Sequence, residues 1–381
     1  MSTLNPSAPA PRSNELPAED HGSGRSGKDS GDDSGADSVR LMLNQLALQK
    51  PPRRRDLDRA KGLGILLVVI GHLVSRSSPL GNDWYIVLKH ALYHFHMPFF
   101  MYLSGYVVFM TGSARIEPSK WLAFTGRRMY RLLLPFVLFG LFILVGKLVA
   151  SRFILVDNLP GSLDQGLLGL VWNTDSSPAE SVWYLAVLFA LSVLTPPLLW
   201  ALKGRTGLLL ALALVLYVLP WPHVMYLDRI ARFMSFFAMG GLASDAGKVY
   251  LELIDRYFGW ALVALLGTLW LALTVFAGLN PDVALFVCGT LSMPALHGLV
   301  RHRYFSSSSL LLTLGAYSMV IYLLNTPFIG LVKGAMLKVL PWDGPNFLLY
   351  APVLTIAGTL LPILLKRYVL SRVPALDRMT S

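Results

Sequence analysis

The stretch HALYHFHMPFFMYLSGY, residues 90–106, decides how the chain is to be read. It is apolar enough to lie in a bilayer, yet it carries His90, His94 and His96, three of the chain's eight histidines, and closes on Ser104-Gly105-Tyr106. A charged group at the centre of a membrane helix costs about 2.5–3.5 kcal/mol for Asp, Lys or Arg, so titratable residues inside such a segment point to a functional site. The question is what this chain gains from histidines there.

Composition sets the class. The chain has 381 residues, 54% of them hydrophobic and only 14% charged, against about 25% charged in an ordinary soluble domain. A membrane-spanning bundle fits that balance. A single cysteine, Cys288, sits inside an apolar run. It excludes an intrachain disulfide and a CxxC metal site, and no metal centre is expected.

The net charge of +11 is uneven. Residues 1–50 hold five Lys/Arg against seven Asp/Glu, so the rest of the chain carries 28 basic and 15 acidic residues. The basic residues stand at the edges of apolar runs, the pattern of membrane topology and not of a nucleic-acid-binding face. Residues 1–50 are rich in Ser, Gly, Asp and Pro without apolar period, and read as a disordered polar tail. A short interfacial helix over 41–50 and a frayed end fit that last piece equally. The start lacks a basic and then apolar leader, so no cleaved signal is expected.

From Gly62 onward, apolar runs able to cross a ~30 Å hydrocarbon core recur. They fall near 62–80, 90–111, 130–150, 182–202, 207–220, 227–244, 258–278, 282–300, 309–334 and 346–366. No period-2 alternation at barrel spacing is present, so the expected fold is all-α: a polytopic bundle of about ten transmembrane helices. With both termini cytoplasmic, 20 of the 28 basic residues outside the tail fall on the inner side, which is the bias the positive-inside rule demands. The domain division that follows is a tail over 1–50, a transmembrane domain over 51–370 and a short cytoplasmic tail over 371–381.

Within the first span, RDLDRAKGLGILLVVIGHLVSRSS (55–78), Lys61 stands at the cytoplasmic mouth and His72 lies eleven residues on. Eleven residues make about three turns and ~16 Å, which puts both on one face, with His72 near the midplane. Gly62 and Gly64 leave the entrance thin, and Gly71 clears space beside the histidine. Such a His is a structural hydrogen-bonder, a proton relay or a catalytic base.

In the second span His94 and His96 approach from the far side. Pro98 is expected to open a local kink, and Ser104-Gly105 to let a helix or ligand come close. His90 falls in the headgroup zone. Further on, Arg128 and Arg131 in GRRMYRLLLPF are three apart on one helical face. They serve as orientation and snorkelling charges, or as a phosphate clamp, since guanidinium forks grip phosphate through paired bonds.

The blocks DRAKGLGILLVVIGH, FHMPFFMYLSGY, RRMYRLLLPF, WYLAVLF and LGAYSMVIYLLNTPF occur in that order. Together they resemble the membrane-bound acyltransferase 3 family, from about Arg55 to Arg367. FHMPFFMYLSGY is most similar to the sugar O-acetylase branch, such as fucose 4-O-acetylases. The resemblance assigns His72 and His96 to catalysis. It assigns Lys61, Arg128, Arg131, Ser104 and Gly105 to the donor, and in the mechanism it suggests Asn325, Tyr322 or His96 would hydrogen-bond the acceptor or the developing oxyanion. Many members carry His after IYLL, where this chain has Asn325, and no acid is evident beside His72.

The resemblance implies an integral O-acyltransferase of the cell (inner or plasma) membrane. It would move an acyl group, acetyl foremost, from cytosolic acyl-CoA to a hydroxyl of a cell-surface or lipid-linked sugar. Phosphates would meet Lys61, Arg128 and Arg131, and the pantetheine arm would run beside the first helix toward a neutral His72 acting as base. The implied partners are membrane lipid and a carbohydrate acceptor, with no nucleic acid and with the oligomeric state open. The competing class is a polytopic transporter or flippase for a lipid-linked or small glycoside. Its mark is an inverted repeat with paired broken helices, and the sequence shows none.

Overall fold

The computed structural model of the protein describes residues 54–74, 78–153, 156, 159–174, 177–275 and 280–380. The polar tail expected over 1–50, and any short helix over 41–50, lie outside them. Among the described residues every regular element is a helix. Two isolated bridges, Leu80 with Asp343 and Asn173 with Val224, are the only strand-like pairings among those residues. The all-α expectation is therefore met.

Among the described residues, six helical segments are long and apolar enough to cross a membrane: Pro118–Ala150, Glu180–Ala201, Leu227–Leu273, Pro281–Arg301, Ser318–Met336 and Gly344–Arg372. Their outer surface is apolar. Trp260, Val263, Leu266 and Trp270 follow one another along one segment and are each more than half exposed. In water that belt would be an aggregation patch. Against lipid it costs nothing, and the helix satisfies its own backbone polar groups.

The first apolar run departs from the expected 62–80. Helix α1 (Arg55–Gly71) starts earlier and stops at Gly71, with His72 as its C-cap. The second run, expected as one span over 90–111, is two helices. α2 (Asp83–Tyr93) ends at His94, the chain breaks at Phe95, and α3 (His96–Met110) begins. Pro98 consequently sits in the first turn of α3, where a missing N–H leaves no intrahelical bond unmade, instead of kinking a span.

Next comes α4 (Trp121–Arg128), which runs through a π-turn at Met129–Leu133 into α5 (Leu134–Ala150). Pro135 has no N–H to offer the Arg131 carbonyl, and the helix widens just ahead of it. After α6 (Leu163–Val171) and α7 (Trp183–Ala201), α8 (Thr206–Val218) is the short fifth run.

α9 (Leu227–Leu273) contains 47 residues, or about 70 Å at 1.5 Å per residue, far more than one crossing. It turns at Gly247, whose φ of 54° and ψ of −119° only glycine adopts readily. That turn separates the runs expected over 227–244 and 258–278. α10 (Pro281–Arg301), α11 (Ser309–Ala316), α12 (Ser318–Met336), α13 (Gly344–Tyr368) and α14 (Pro374–Met379) complete the chain.

Two helix crossings set the centre of the bundle, and both use reciprocal glycines. A Cβ on Gly62 would run into the Leu311 carbonyl, and one on Gly315 into the Asp58 carbonyl, so α1 and α11 meet backbone to backbone. In the same way Gly105 on α3 lies against the Phe237 carbonyl and Gly240 on α9 against that of Tyr102. Without a hydrophobic drive between helices in lipid, such close approach supplies dispersion contact that larger residues would forbid. α1 and α3 are thereby held as the two central walls from which the histidines project.

Candidate active site

The site begins with the way α1 ends. A helix leaves its last carbonyls without intrahelical partners. Here side chains of α2 take them up: Tyr85 Oη donates to the Ile70 carbonyl at 2.7 Å and Tyr93 Oη to that of Gly71 at 3.2 Å. Two residues past the cap, Lys89 Nζ reaches the Val74 carbonyl at 2.7 Å. Tyr85, Lys89 and Tyr93 are spaced by four and share one face of α2. They hold the end of α1, and with it His72, against the bundle.

His72 is oriented from the other side by α12. Its Nδ1 lies 2.9 Å from Asn325 Oδ1. The Asn325 amide is itself fixed, because Nδ2 donates to the carbonyls of Ile321 at 2.9 Å and Tyr322 at 2.8 Å. Carbonyls accept only, so the amide nitrogen faces them and Oδ1 faces the imidazole. It follows that Nδ1 carries the proton, and that Nε2 presents a lone pair. Thr326 Oγ1 adds a donor to the same Oδ1 at 3.2 Å. Asn325 is fully buried, and its polar atoms are committed to His72, Thr326 and its own helix.

His96 repeats this logic. Its Nδ1 is 2.6 Å from the Leu92 carbonyl, so Nδ1 is the donor there too. The ring is tilted against Tyr93 with centroids 5.2 Å apart, and it is almost wholly buried. His94 is the C-cap of α2 and lies apart from this cavity's lining.

His72, His96, Tyr322, Trp183, Lys147 and Arg229 are among the residues lining a cavity of about 550 Å³. Tyr322 Oη accepts the Tyr184 N–H at 3.1 Å, which leaves its own hydroxyl proton to point elsewhere. The Tyr184 hydroxyl is 2.5 Å from Ser104 Oγ. Ser104 is thus tied to the cavity wall through Tyr184, whereas Gly105 faces α9 and serves the helix crossing.

Arg128 and Arg131 are elsewhere. With Arg127 they line a second recess of about 410 Å³, together with Thr111, Gly112 and Ser113 at the end of α3. The Arg128 guanidinium lies 5.1 Å over the Phe124 ring. The π-turn directly follows, a distortion that recurs at functional sites. Phe100, Ser104, Val107 and Thr111 form a partly open stripe along α3. Thr111 belongs to the arginine recess, and Phe100 meets the Tyr184 ring edge-on at 6.0 Å. The stripe runs along α3 between His96, in the lining of the cavity, and Thr111, in the arginine recess. Lys61 is half-buried on α1 and lines neither of them.

The histidine cavity and the cluster of arginines both border α3, through His96 and Met97 at one end and Thr111 at the other. Residues 54–367 match the family model described as an acyltransferase domain. The chain belongs to that family. Among curated relatives, nodulation protein NolL of Mesorhizobium japonicum is 41% identical over 85 residues, 21% of this chain and 22% of that protein. NolL of Sinorhizobium fredii is 34% identical over 119 residues, 30% of this chain and 31% of that one. The chain thus aligns with less than a third of either relative's length. No solved structure matches it.

The acyltransferase domain also holds a polar cluster that sequence reasoning passed over. Asp56, in the first turn of α1, accepts from Arg54 Nε at 2.9 Å and from Arg301 Nη1 at 3.1 Å, and His297 Nε2 approaches it at 3.4 Å. His297 Nδ1 lies 2.8 Å from Tyr102 Oη, and Tyr102 is 2.9 Å from Tyr250 Oη. The carboxylate that the sequence lacks beside His72 is therefore present, but beside another histidine at the opposite end of α1. The signal was a lone His in an apolar helix, the same signal that drew attention to His72.

Proposed function

We propose that the protein is an integral membrane O-acyltransferase that carries an acyl group, acetyl first, from cytosolic acyl-CoA to a hydroxyl of a cell-surface or lipid-linked sugar. The single observation that carries this reading is the Asn325–His72 pair, which leaves Nε2 of His72 unprotonated inside a cavity large enough for a sugar. Ten crossings of the cell membrane with both ends in the cytoplasm belong to the same proposal. They put the arginine recess on the donor side and the histidine cavity on the other.

Arg127, Arg128 and Arg131 hold the phosphates of the donor, with the Thr111 and Ser113 hydroxyls beside them. The stripe of α3, rather than the face of α1, guides the thin pantetheine arm toward Tyr184, whose hydrogen bond to Ser104 must yield to let it pass. Nε2 of His72 accepts the proton of the acceptor hydroxyl while that oxygen bonds to the thioester carbon. Asn325 Oδ1 keeps hold of Nδ1–H and steadies the imidazolium that results. The Tyr322 hydroxyl donates to the carbonyl oxygen as it becomes an oxyanion. When the C–S bond breaks, the proton on Nε2 passes to the departing CoA sulfur, and His72 returns to its starting state. His96, with its own Nε2 lone pair, orients a second hydroxyl of the acceptor.

The test is mass spectrometry of surface glycans from cells that express wild type, His72→Ala or no protein. A gain of one acyl mass with wild type alone is the expected result. The same mass gain with His72→Ala at matched expression overturns the assignment.

A further inference from the structure

The lining of the arginine recess comes from two stretches of chain, and each is fixed from far away in sequence. The first, past the end of α3, includes Ser113 and Ile116. Arg115, between them, forks onto Asp245 of α9 at 2.9 and 2.7 Å. Trp200 Nε1 of α7 donates to the Ile116 carbonyl at 3.0 Å. The second stretch, with Arg127, Arg128 and Arg131, runs through the π-turn at Met129–Leu133. There the backbone leaves the regular α-helical ladder. Beyond its own helix, α7 and α14 pack against that turn.

α14 has six residues, too few to form a stable helix unaided. Lys366, in the last turn of α13, fastens it. Nζ donates to the Asp377 carbonyl at 2.6 Å and to Thr380 Oγ1 at 2.7 Å, and it pairs with the Asp377 carboxylate at 2.9 Å. The ammonium thus takes up a carbonyl that the end of α14 leaves without a helical partner. Thr380 Oγ1 in turn donates to the Leu376 carbonyl at 2.6 Å. The Lys366 side chain is only 9% exposed, and lysine is seldom buried so far. Orientation in the membrane and snorkelling would be served by an exposed cation, as its neighbour Arg367 is. Lys366 is turned inward instead, onto α14, where Met379 and Thr380 are buried with it.

We infer that Lys366 is a positioning residue for the acyl donor: it fastens α14 against the π-turn, and α14 holds Arg128 and Arg131 in the relative orientation that grips phosphate. The identity of the donor rests on the acyl-transfer reading; the brace itself does not. Arg128 directly precedes the turn and Arg131 lies within it. Relaxing the wide turn to regular α-helix would rotate one guanidinium relative to the other about the helix axis. Planar forks that meet phosphate oxygens through paired bonds tolerate such a rotation poorly.

Amide exchange and kinetics test this on the full chain, purified in detergent. Lys366→Met removes all three contacts of Nζ and keeps an unbranched apolar stem. Asp377→Pro disrupts α14 from within, by removing the N–H that bonds the Val373 carbonyl at 2.9 Å. It leaves α13 untouched, so it carries the test if Lys366→Met does not fold. Both variants should speed amide exchange over residues 127–134 about tenfold and leave residues 113–116 unchanged. Both should raise the acyl-CoA KM about threefold or more with kcat within about twofold, while a short pantetheine thioester is almost unaffected. Lys366→Arg should retain part of the wild-type behaviour in both readouts. Unchanged exchange over 127–134 in both variants overturns the inference, and so does faster exchange with an unchanged acyl-CoA KM. An equal loss with both donors, or a fall in kcat alone, overturns it too, since that is what a lysine serving only the fold would give. Wild type that transfers from neither donor removes the acyl-transfer reading, and the exchange result then decides the brace on its own.

Discussion

Replacing Asn325 with Leu tests the orientation of His72 at its source. Leucine keeps the branching and heavy-atom count of the side chain at a fully buried position, and removes the acceptor 2.9 Å from His72 Nδ1. Two consequences follow. The Ile321 and Tyr322 carbonyls lose side-chain donors but keep their helical N–H partners, so α12 itself should persist. The imidazole loses the group that holds its proton on Nδ1 and that stabilises its charged form in the transition state. A hydrogen bond to a charged partner is worth about 1.5–3 kcal/mol, which at 1.36 kcal/mol per decade is roughly a 10–150-fold fall in kcat. Acceptor KM should change little, because Asn325 is buried behind the histidine and reaches the cavity only through it.

The decisive form of the experiment is a double-mutant cycle in single-turnover transfer of radiolabelled acetyl. His72→Ala alone should lose about 10²–10⁴-fold, as for removal of a general base. If Asn325 acts through His72, the His72→Ala/Asn325→Leu pair should be no slower than His72→Ala, since the second change has nothing left to orient. Additive losses would refute the dyad and would mean that Asn325 contributes to folding or binds the acceptor directly.

Replacing both Arg128 and Arg131 with Lys preserves positive charge and topology. It should raise the acyl-CoA KM severalfold while leaving a short pantetheine thioester almost unaffected, read by steady-state kinetics with the two donors. His96→Ala should reduce transfer far more than His94→Ala in the same assay, because His96 lines the cavity and His94 caps α2. Gly105→Ala drives a methyl into the Phe237 carbonyl. It should destabilise by about 1–3 kcal/mol or more, whereas Gly146→Ala, in open space on α5, should be neutral or stabilising by up to ~1 kcal/mol; thermal unfolding in detergent separates them.

Hydropathy exposed the helices because a membrane segment is a local property: twenty apolar residues announce themselves without knowledge of their neighbours. It misplaced the end of the first one for the same reason. ILLVVIGHLV reads as an unbroken run, and what stops α1 at Gly71 is not in that run. Tyr85, Lys89 and Tyr93 supply the missing donors from another helix, and a carbonyl with a better partner no longer needs the next turn. The SG pair was legible as a place of close approach, but its partner glycine, Gly240, lies 135 positions away, so the sequence could not say whether helix or ligand fills the gap.

Asn325 shows the limit most clearly. Read as a departure from a familiar pattern, it weakened the case for proton chemistry. The structure gives that departure a consequence: an amide oxygen can fix the histidine tautomer as a carboxylate would, without placing a charge in the bundle. A carboxylate would stabilise the imidazolium more, yet it would need two further donors of its own in place of the Ile321 and Tyr322 carbonyls, which can only accept. With those carbonyls where α12 puts them, a neutral amide is the orienting group that satisfies every neighbour, and Asn325→Asp should cost activity and stability together instead of improving the base.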